Sequence, residues 1–455
     1  MGSGALQNGA AVFLKIHFIY GRDGTMMSAQ EYFLSFPRFG KNAGLSRIRA
    51  LMEALGNPQE QLRCVHVAGT NGKGSITSML ASIAQAGGLK TGCYTSPYIT
   101  CFHERMQVNG RPISEERLTE LVGLLRPITD DLTARGMDLC HFEVVTAAAF
   151  CWFAKEKCDL VCLETGLGGR LDATNLLSPE SCALSVLTAI GFDHMELLGN
   201  TIGQIAYEKC GILKPGVPVV CYPDQPEEAL EVIFASAAQK GCVLNLPSLS
   251  SLRDQSSSVF SPFFSYGGQD YRLSLLGEHQ LKNAVTAIEA AHVLRERGFS
   301  AITASAIEQG LACAFLPARL ESVCCWPQGP QLLLDGAHNA HGCRALSSFL
   351  QRVKKEKNGS VILVMGMLAD KNITEALSVL LPQAEKAIAV PVENPRSISP
   401  NGLAEKMNGF CPSAVCASLS SGLSQARKMA GPSGLVVVCG SLYLAAQARA
   451  MLVPD

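Results

Sequence analysis

The segment VHVAGTNGKGS, residues 65–75, decides how this chain reads. Its first half completes an apolar run, Cys64–Ala68, with the length and character of a buried strand. Its second half sets Gly69, Gly72 and Gly74 around Lys73. Glycines let the backbone turn tightly enough for successive amide N–H groups to face phosphate oxygens. Beyond Ser75 the apolar residues Ile76, Met79, Leu80 and Ile83 share one helical face, and Gly87-Gly88 closes the pattern. A strand, a glycine turn and a helix N-terminus make a phosphate site, to which Lys73 adds a mobile cation. The common form G-x-x-x-x-G-K-[ST] is not met, because Gly74 separates Lys73 from Ser75. Thr70, Asn71, Gly72, Lys73, Gly74 and Ser75 are therefore nucleotide-binding candidates, with Ser75 placed to reach phosphate or magnesium. A glycine-rich turn beside a surface lysine is the bland alternative, and the flanking strand and helix argue against it.

Outward from the loop, short apolar runs alternate with amphipathic stretches, the pattern of a parallel sheet covered by helices. Leu160–Glu164, Ala183–Thr188 and Val217–Cys221 read as further strands, each ending where open α/β sheets place ligands. The serine-rich residues 246–262 read as a surface loop, and Phe263–Leu275 as a hairpin turning at Gly267-Gly268. A helix is expected from about Lys282 to Arg297, ending at Gly298. A second alternating block supplies strands at Gln331–Leu334, Val361–Met365, Lys386–Val390 and Leu435–Cys439. The expected fold class is α/β. A P-loop ATPase domain with a mostly parallel sheet spans 27–298, a linker spans 299–316, and a smaller Rossmann-like domain spans 317–455. Residues 1–26 are set aside as a disordered extension or tag.

The bulk composition excludes several classes. Of 455 residues, 47% are apolar and 17% charged, enough for a core shared by two domains. Lysine plus arginine number 38 against 39 acids, so no global field draws nucleic acid or anionic lipid. No apolar run reaches the roughly 18 residues of a membrane span. The apolar patch Ala10–Ile19 lacks the layout of a signal peptide. The 18 cysteines are scattered through apolar segments with no CxxC pair or zinc spacing, which suits buried thiols in a reducing, cytoplasmic setting.

The form GTNGKGS resembles the Mur-ligase superfamily, and further blocks resemble its folate branch. They are TSPYITCFHERMQVNG (Thr95–Gly110), LETGLGGRLDATN (Leu163–Asn175) and DHMELLGNTIGQIAYEKCGILKPG (Asp193–Gly216). GEHQLKNA (Gly277–Ala284), LPARLE (Leu316–Glu321), LDGAHN (Leu334–Asn339) and GSLYL (Gly440–Leu444) follow in the family's order. The chain departs from the pattern at Tyr98, where the family has histidine, at Cys210, usually alanine, and at Ala318, usually glycine. About 40–65 residues precede the phosphate loop, fewer than a domain needs. The expectation is therefore the folate branch rather than the cell-wall branch, which carries a nucleotide-sugar-binding domain there.

The resemblance implies an ATP- and magnesium-dependent ligase that joins L-glutamate to a folate, with dihydropteroate as a further acceptor, through an acyl phosphate. It implies magnesium ligands at Ser96, Glu143 and His194, and a carbamylated catalytic lysine at Lys209. It also implies ATP contacts from Asn283, Arg319 and Asp335, a positioning role in catalysis for His338, and amino-acid contacts from Ser441 and Tyr443. Arg319 is expected to face phosphate and Asp335 the ribose. A monomer is expected, free of nucleic acid and membrane, that closes on ATP by motion about 299–316. Two other readings stay open: a Mur-type ligase for another carboxylate and amino acid, and a nucleotide-binding switch protein.

Overall fold

The computed structural model of the chain describes residues 19–20, 26–38, 40, 44–356, 359–369 and 373–453. Of the expected extension, only Ile19–Tyr20 and Met26 are among them, and Ile19–Tyr20 pairs antiparallel with Met26–Met27.

The first domain is built on an eight-stranded sheet. Its strands in chain order are β1 (Cys64–Ala68), β2 (Thr91–Tyr94), β3 (Met106–Val108), β4 (Arg111–Pro112), β5 (Leu160–Glu164), β6 (Cys182–Leu187), β7 (Val219–Cys221) and β8 (Leu244–Asn245). The spatial order is β8-β7-β6-β1-β5-β2-β3-β4, parallel from β8 to β2 and antiparallel across the β3–β4 edge. Every residue of β1, β5 and β6 is buried, as central strands covered on both faces must be. Alternate side chains serve opposite faces. Val161 and Leu163 join one core cluster, while Leu160 and Cys162 join the cluster that includes the helix Lys73–Ala86. These interdigitated layers hold β1 and β5 side by side, so that their carboxyl ends, Ala68 and Glu164, open on the same edge.

The second domain has a separate six-stranded sheet. The hairpin strands β9 (Arg253–Asp254), β10 (Phe263–Tyr266) and β11 (Gln269–Arg272) come between the two in sequence. They are followed by β12 (Glu321–Val323), β13 (Gln331–Leu334), β14 (Val361–Met365), β15 (Lys386–Ala389), β16 (Ser413–Val415) and β17 (Leu435–Cys439). The second sheet runs β12-β13-β17-β14-β15-β16, parallel except for β12.

Two stretches differ from their sequence reading. The serine-rich 246–262 is a strut rather than a free loop. Its β9 adds a third strand to the hairpin, Asp254 pairs with Arg352 at 3.1 Å, and Glu356 accepts from Ser258 Oγ and Val259 N. Val259 lies in the core of the second domain, and Phe260 meets Phe349 edge-on at 5.7 Å. Serine hydroxyls and a partner carboxylate satisfy a backbone that has no strand periodicity to announce its burial. Residues 299–316 contain the helix Ala304–Cys313, whose Ile307 and Leu311 pack into the core beside the helix Lys73–Ala86. The chain then crosses toward the second domain through residues 314–320.

Candidate active site

A cleft of about 310 Å³ opens where the carboxyl ends of β1 and β5 face the start of the second domain. Its floor is the phosphate loop. Gly72, at φ +86, caps the helix Lys73–Ala86 in the left-handed region that favours glycine. A Cβ there would lie 2.7 Å from Asn283 Oδ1, so the close approach of Asn283 also requires glycine. Thr70 anchors the loop, donating from Oγ1 to Gly191 O at 3.0 Å and accepting from Gly191 N at 3.1 Å. The amides of Thr70 and Asn71 both donate to Ala189 O. Those that follow, at the helix start, have no intrahelical partner by geometry and suit an anion. Ser75 Oγ lies 3.1 Å from Gln280 Nε2, and Gln280 Oε1 in turn accepts from Asn283 Nδ2 at 2.9 Å.

Two ammonium groups converge on one carbonyl. Lys73 Nζ donates to Gly69 O at 3.0 Å and to Thr70 O at 3.2 Å, and Lys209 Nζ donates to Gly69 O at 2.8 Å. Lys209 is almost wholly buried, and burial, reinforced by the Lys73 charge, pulls its amine down to about 7.

Glu143 does not reach this cleft. It occupies the third position of the helix His141–Lys155, a capping site, where its side chain turns back to accept from Cys140 N at 2.8 Å. Its other oxygen meets Arg47 at 2.9 Å. Glu164, the last residue of β5, does line the cleft, and it accepts from Ser96 N at 3.0 Å. Burial raises its pKa, against the pull of Lys73 and the Ser96 amide. The sequence held that signal: the strand Leu160–Glu164 ends in an acid at the ligand edge of a parallel sheet.

Ser96 and His194 line the same cleft, and His194 is exposed in a left-handed conformation, φ +46. With Glu164 they offer a hydroxyl, a carboxylate and an imidazole. A buried acid whose ionised form is under-compensated fits a hard cation such as magnesium.

On the opposite wall, Arg319 and Asp335 line the cleft as expected. Asp335 is buried, and its two oxygens accept from Leu320 N at 2.9 Å and Ala337 N at 2.8 Å. It thus ties the crossing segment to the end of β13. The residues on either side of Arg319 are left-handed, Ala318 at φ +53 and Leu320 at φ +49. Asn283 sits beside the phosphate loop but does not line the cleft. His338 Nδ1 is 2.8 Å from Gly336 O, a short contact next to the cleft wall rather than on it. Ser441 is a buried helix cap that accepts from Tyr443 N and Leu444 N, and Tyr443 is exposed. Neither lines the cleft.

A phosphate loop with paired lysines, an acid at the neighbouring strand end, and a second α/β domain supplying the facing wall define an ATP-using ligase of the Mur type. The family models agree: the Mur ligase middle domain matches residues 67–291 and the Mur ligase glutamate ligase domain matches 318–442. The chain belongs to the Mur ligase family, in its group of folylpolyglutamate and dihydrofolate synthases. It is 41% identical over 343 residues to the dihydrofolate synthase/folylpolyglutamate synthase of Bacillus subtilis, covering 73% of this chain and 77% of that one. It is 34% identical to the folylpolyglutamate synthase of Lacticaseibacillus casei, covering 92% and 97%. The crystal structure of folylpolyglutamate synthase from Thermotoga maritima superimposes with a TM-score of 0.82 at 31% identity, covering 93% and 95%. An Escherichia coli relative solved with DHPP and ADP gives 0.79 at 28% identity, covering 93% and 97%.

Proposed function

We propose that this protein is an ATP-dependent ligase that joins L-glutamate to the carboxylate of a folate, and to that of dihydropteroate. The observation that carries the reading is Lys73 and Glu164 on the floor of a cleft whose other wall bears Arg319, with Lys209 buried behind the loop and sharing Gly69 O with Lys73. An amide cannot form from a carboxylate until oxygen becomes a better leaving group. Phosphoryl transfer from ATP to the acceptor carboxylate achieves this, and the amine of glutamate then displaces phosphate.

The residues divide that work. The loop amides and Lys73 hold the β- and γ-phosphates, and Arg319 meets the same charge from the facing wall with a planar fork of donors. Ser96, Glu164 and His194 would hold magnesium, which would supply charge neutralisation at the phosphates. Lys209, with an amine near neutral pH, adds to carbon dioxide, forming an N–C bond and releasing a proton. The carbamate so formed replaces a repelled cation beside Lys73 with an anion. Approach of the second domain through the 314–320 crossing excludes water that would hydrolyse the acyl phosphate. The glutamate amine enters from the side of Ser441, Tyr443 and His338. A cytoplasmic monomer suits these substrates.

The test is ADP release by the purified protein with ATP, magnesium and glutamate, supplied with tetrahydrofolate, dihydropteroate or no acceptor, and products weighed by mass spectrometry. A gain of one glutamyl unit on a pterin is expected, and the two arms separate the two acceptors. Nucleotide binding with no product on any pterin would sink the folate assignment.

A further inference from the structure

Residues 256–261, the tip of the strut, leave the first domain and return to it, and on the way they touch the second. Before them β9 is paired with β10, and Gln255 N donates to Phe263 O at 2.8 Å. After them Phe264 and Tyr271 of the hairpin lie in the first-domain core with residues of the helix Lys73–Ala86. Ser261 N closes the excursion by donating to Ser258 O at 3.1 Å. This finger is not a linker, because both of its ends belong to one domain. Chain connectivity does not oblige it to meet the other domain, yet it buries Val259 in that domain's core, with Leu276 and Leu320.

The finger meets the end of one helix stripe. Along the helix Ala340–Glu356, Gly342, Leu346, Phe349, Arg352 and Glu356 follow at steps of three or four and share a face, with Ala345 beside them. Gly342, Ala345 and Leu346 line the main cleft. The other three hold the finger. The Phe349 and Phe260 rings meet at 5.7 Å, Arg352 pairs with Asp254 at the finger's base at 3.1 Å, and Glu356 accepts from Ser258 Oγ at 2.6 Å and Val259 N at 2.8 Å. At about 1.5 Å of rise per residue, this grip lies roughly 10–20 Å along the helix from the cleft.

A rigid body held at one point turns freely; held at two, it turns only about the line between them. The chain crossing at 314–320 is one such point, fixed by Ser78 Oγ donating to Phe315 O at 2.6 Å and by Arg449 over the Phe315 ring at 5.5 Å. We infer that the finger is a second pivot, which confines the second domain to one closing rotation over the phosphate loop and makes Phe260 and Arg352 positioning residues for the nucleotide. The inference rests on the main cleft being the ATP site and is independent of which acceptor the ligase takes.

Small-angle scattering of the full-length protein, and its calorimetric titration with the ATP analogue AMPPCP and magnesium, test it. The double variant Phe260→Ala, Arg352→Glu releases the finger, since it removes the ring contact and sets an acid against Asp254 and Glu356. Both side chains are partly exposed, so each domain should keep its fold, checked by circular dichroism. The nucleotide-free radius of gyration should rise. AMPPCP should bind roughly threefold to tenfold more weakly, because a smaller fraction of the protein holds the second wall in place. Phe260→Leu, which keeps an apolar side chain against Phe349, should stay within about twofold of the parent. A double variant with the parent's radius of gyration and AMPPCP affinity would overturn the proposal, whatever reaction the protein catalyses. So would a loss of affinity as large in Phe260→Leu as in the double variant. If the parent itself binds no AMPPCP, the ATP reading of the cleft fails, and the nucleotide-free scattering still decides the pivot.

Discussion

The two walls of the cleft are built on opposite electrostatic principles. On the phosphate-loop side, charge is left uncompensated: two ammoniums share Gly69 O, and Glu164 is buried with its pKa raised. On the second-domain side the polar groups are largely satisfied by the fold itself. Asp335, whose pKa burial also raises, accepts two amides, and behind the wall Ser441 caps a helix and His338 sits against Gly336 O. The first wall holds groups that a nucleotide and a metal would complete, and the second holds its groups in position. Unmet charge in a low-dielectric site is where ligand binding gains most.

That contrast can be broken from the charged side first. Lys73→Ala should lower kcat roughly a hundredfold to a thousandfold, read as ADP release under saturating glutamate. Next comes the pair Glu164→Gln and Glu143→Gln, which separates site from scaffold. Glu164→Gln should remove most activity and the stabilisation by magnesium-ATP in a melting experiment, while leaving the ligand-free protein no less stable. Glu143→Gln breaks a largely buried ion pair with Arg47 and should cost about 1–3 kcal/mol of stability while the folded fraction keeps its activity. The reverse pattern would restore Glu143 to the site.

Lys209 gives a pH signature. Its folded pKa of about 7 lies below the ordinary 10.5, so between those values the unfolded chain holds the extra proton. The contribution of this group to stability should therefore rise with pH across that window in carbon-dioxide-free buffer. Lys209→Met should flatten the rise, and so should bicarbonate if the amine is carbamylated. The smallest effect belongs to the second wall. Ala318, left-handed at φ +53, should gain roughly 0.5 kcal/mol as Ala318→Gly, measured by denaturant melting.

Much of the fold was legible because its strands are short, largely apolar and bounded by glycine or polar residues. Leu160–Glu164, Gln331–Leu334, Val361–Met365 and Leu435–Cys439 begin and end where the sequence placed them. The strut at 246–262 was not legible, since its burial rests on contacts nearly a hundred residues away, Asp254 with Arg352 and Ser258 with Glu356. The helix Ala304–Cys313 was likewise hidden in a stretch read as linker. Its partner, the helix Lys73–Ala86, lies more than two hundred residues earlier.

By itself the sequence determined the phosphate loop, the α/β alternation and the ligase resemblance, because each is written in local spacing: glycine position, strand length and helical period. Only the tertiary structure decided which of two carboxylates, Glu143 or Glu164, lines the cleft. Glu143 and Glu164 both lie in apolar surroundings, and the one local hint, that Glu164 ends a strand at the ligand edge of the sheet, does not by itself remove Glu143 from the site. One sits near a helix start where its own backbone and Arg47 claim it, and the other ends a central strand whose neighbours leave it open to the cleft. Partners brought together by packing, rather than residue type, assign a buried charge to structure or to chemistry.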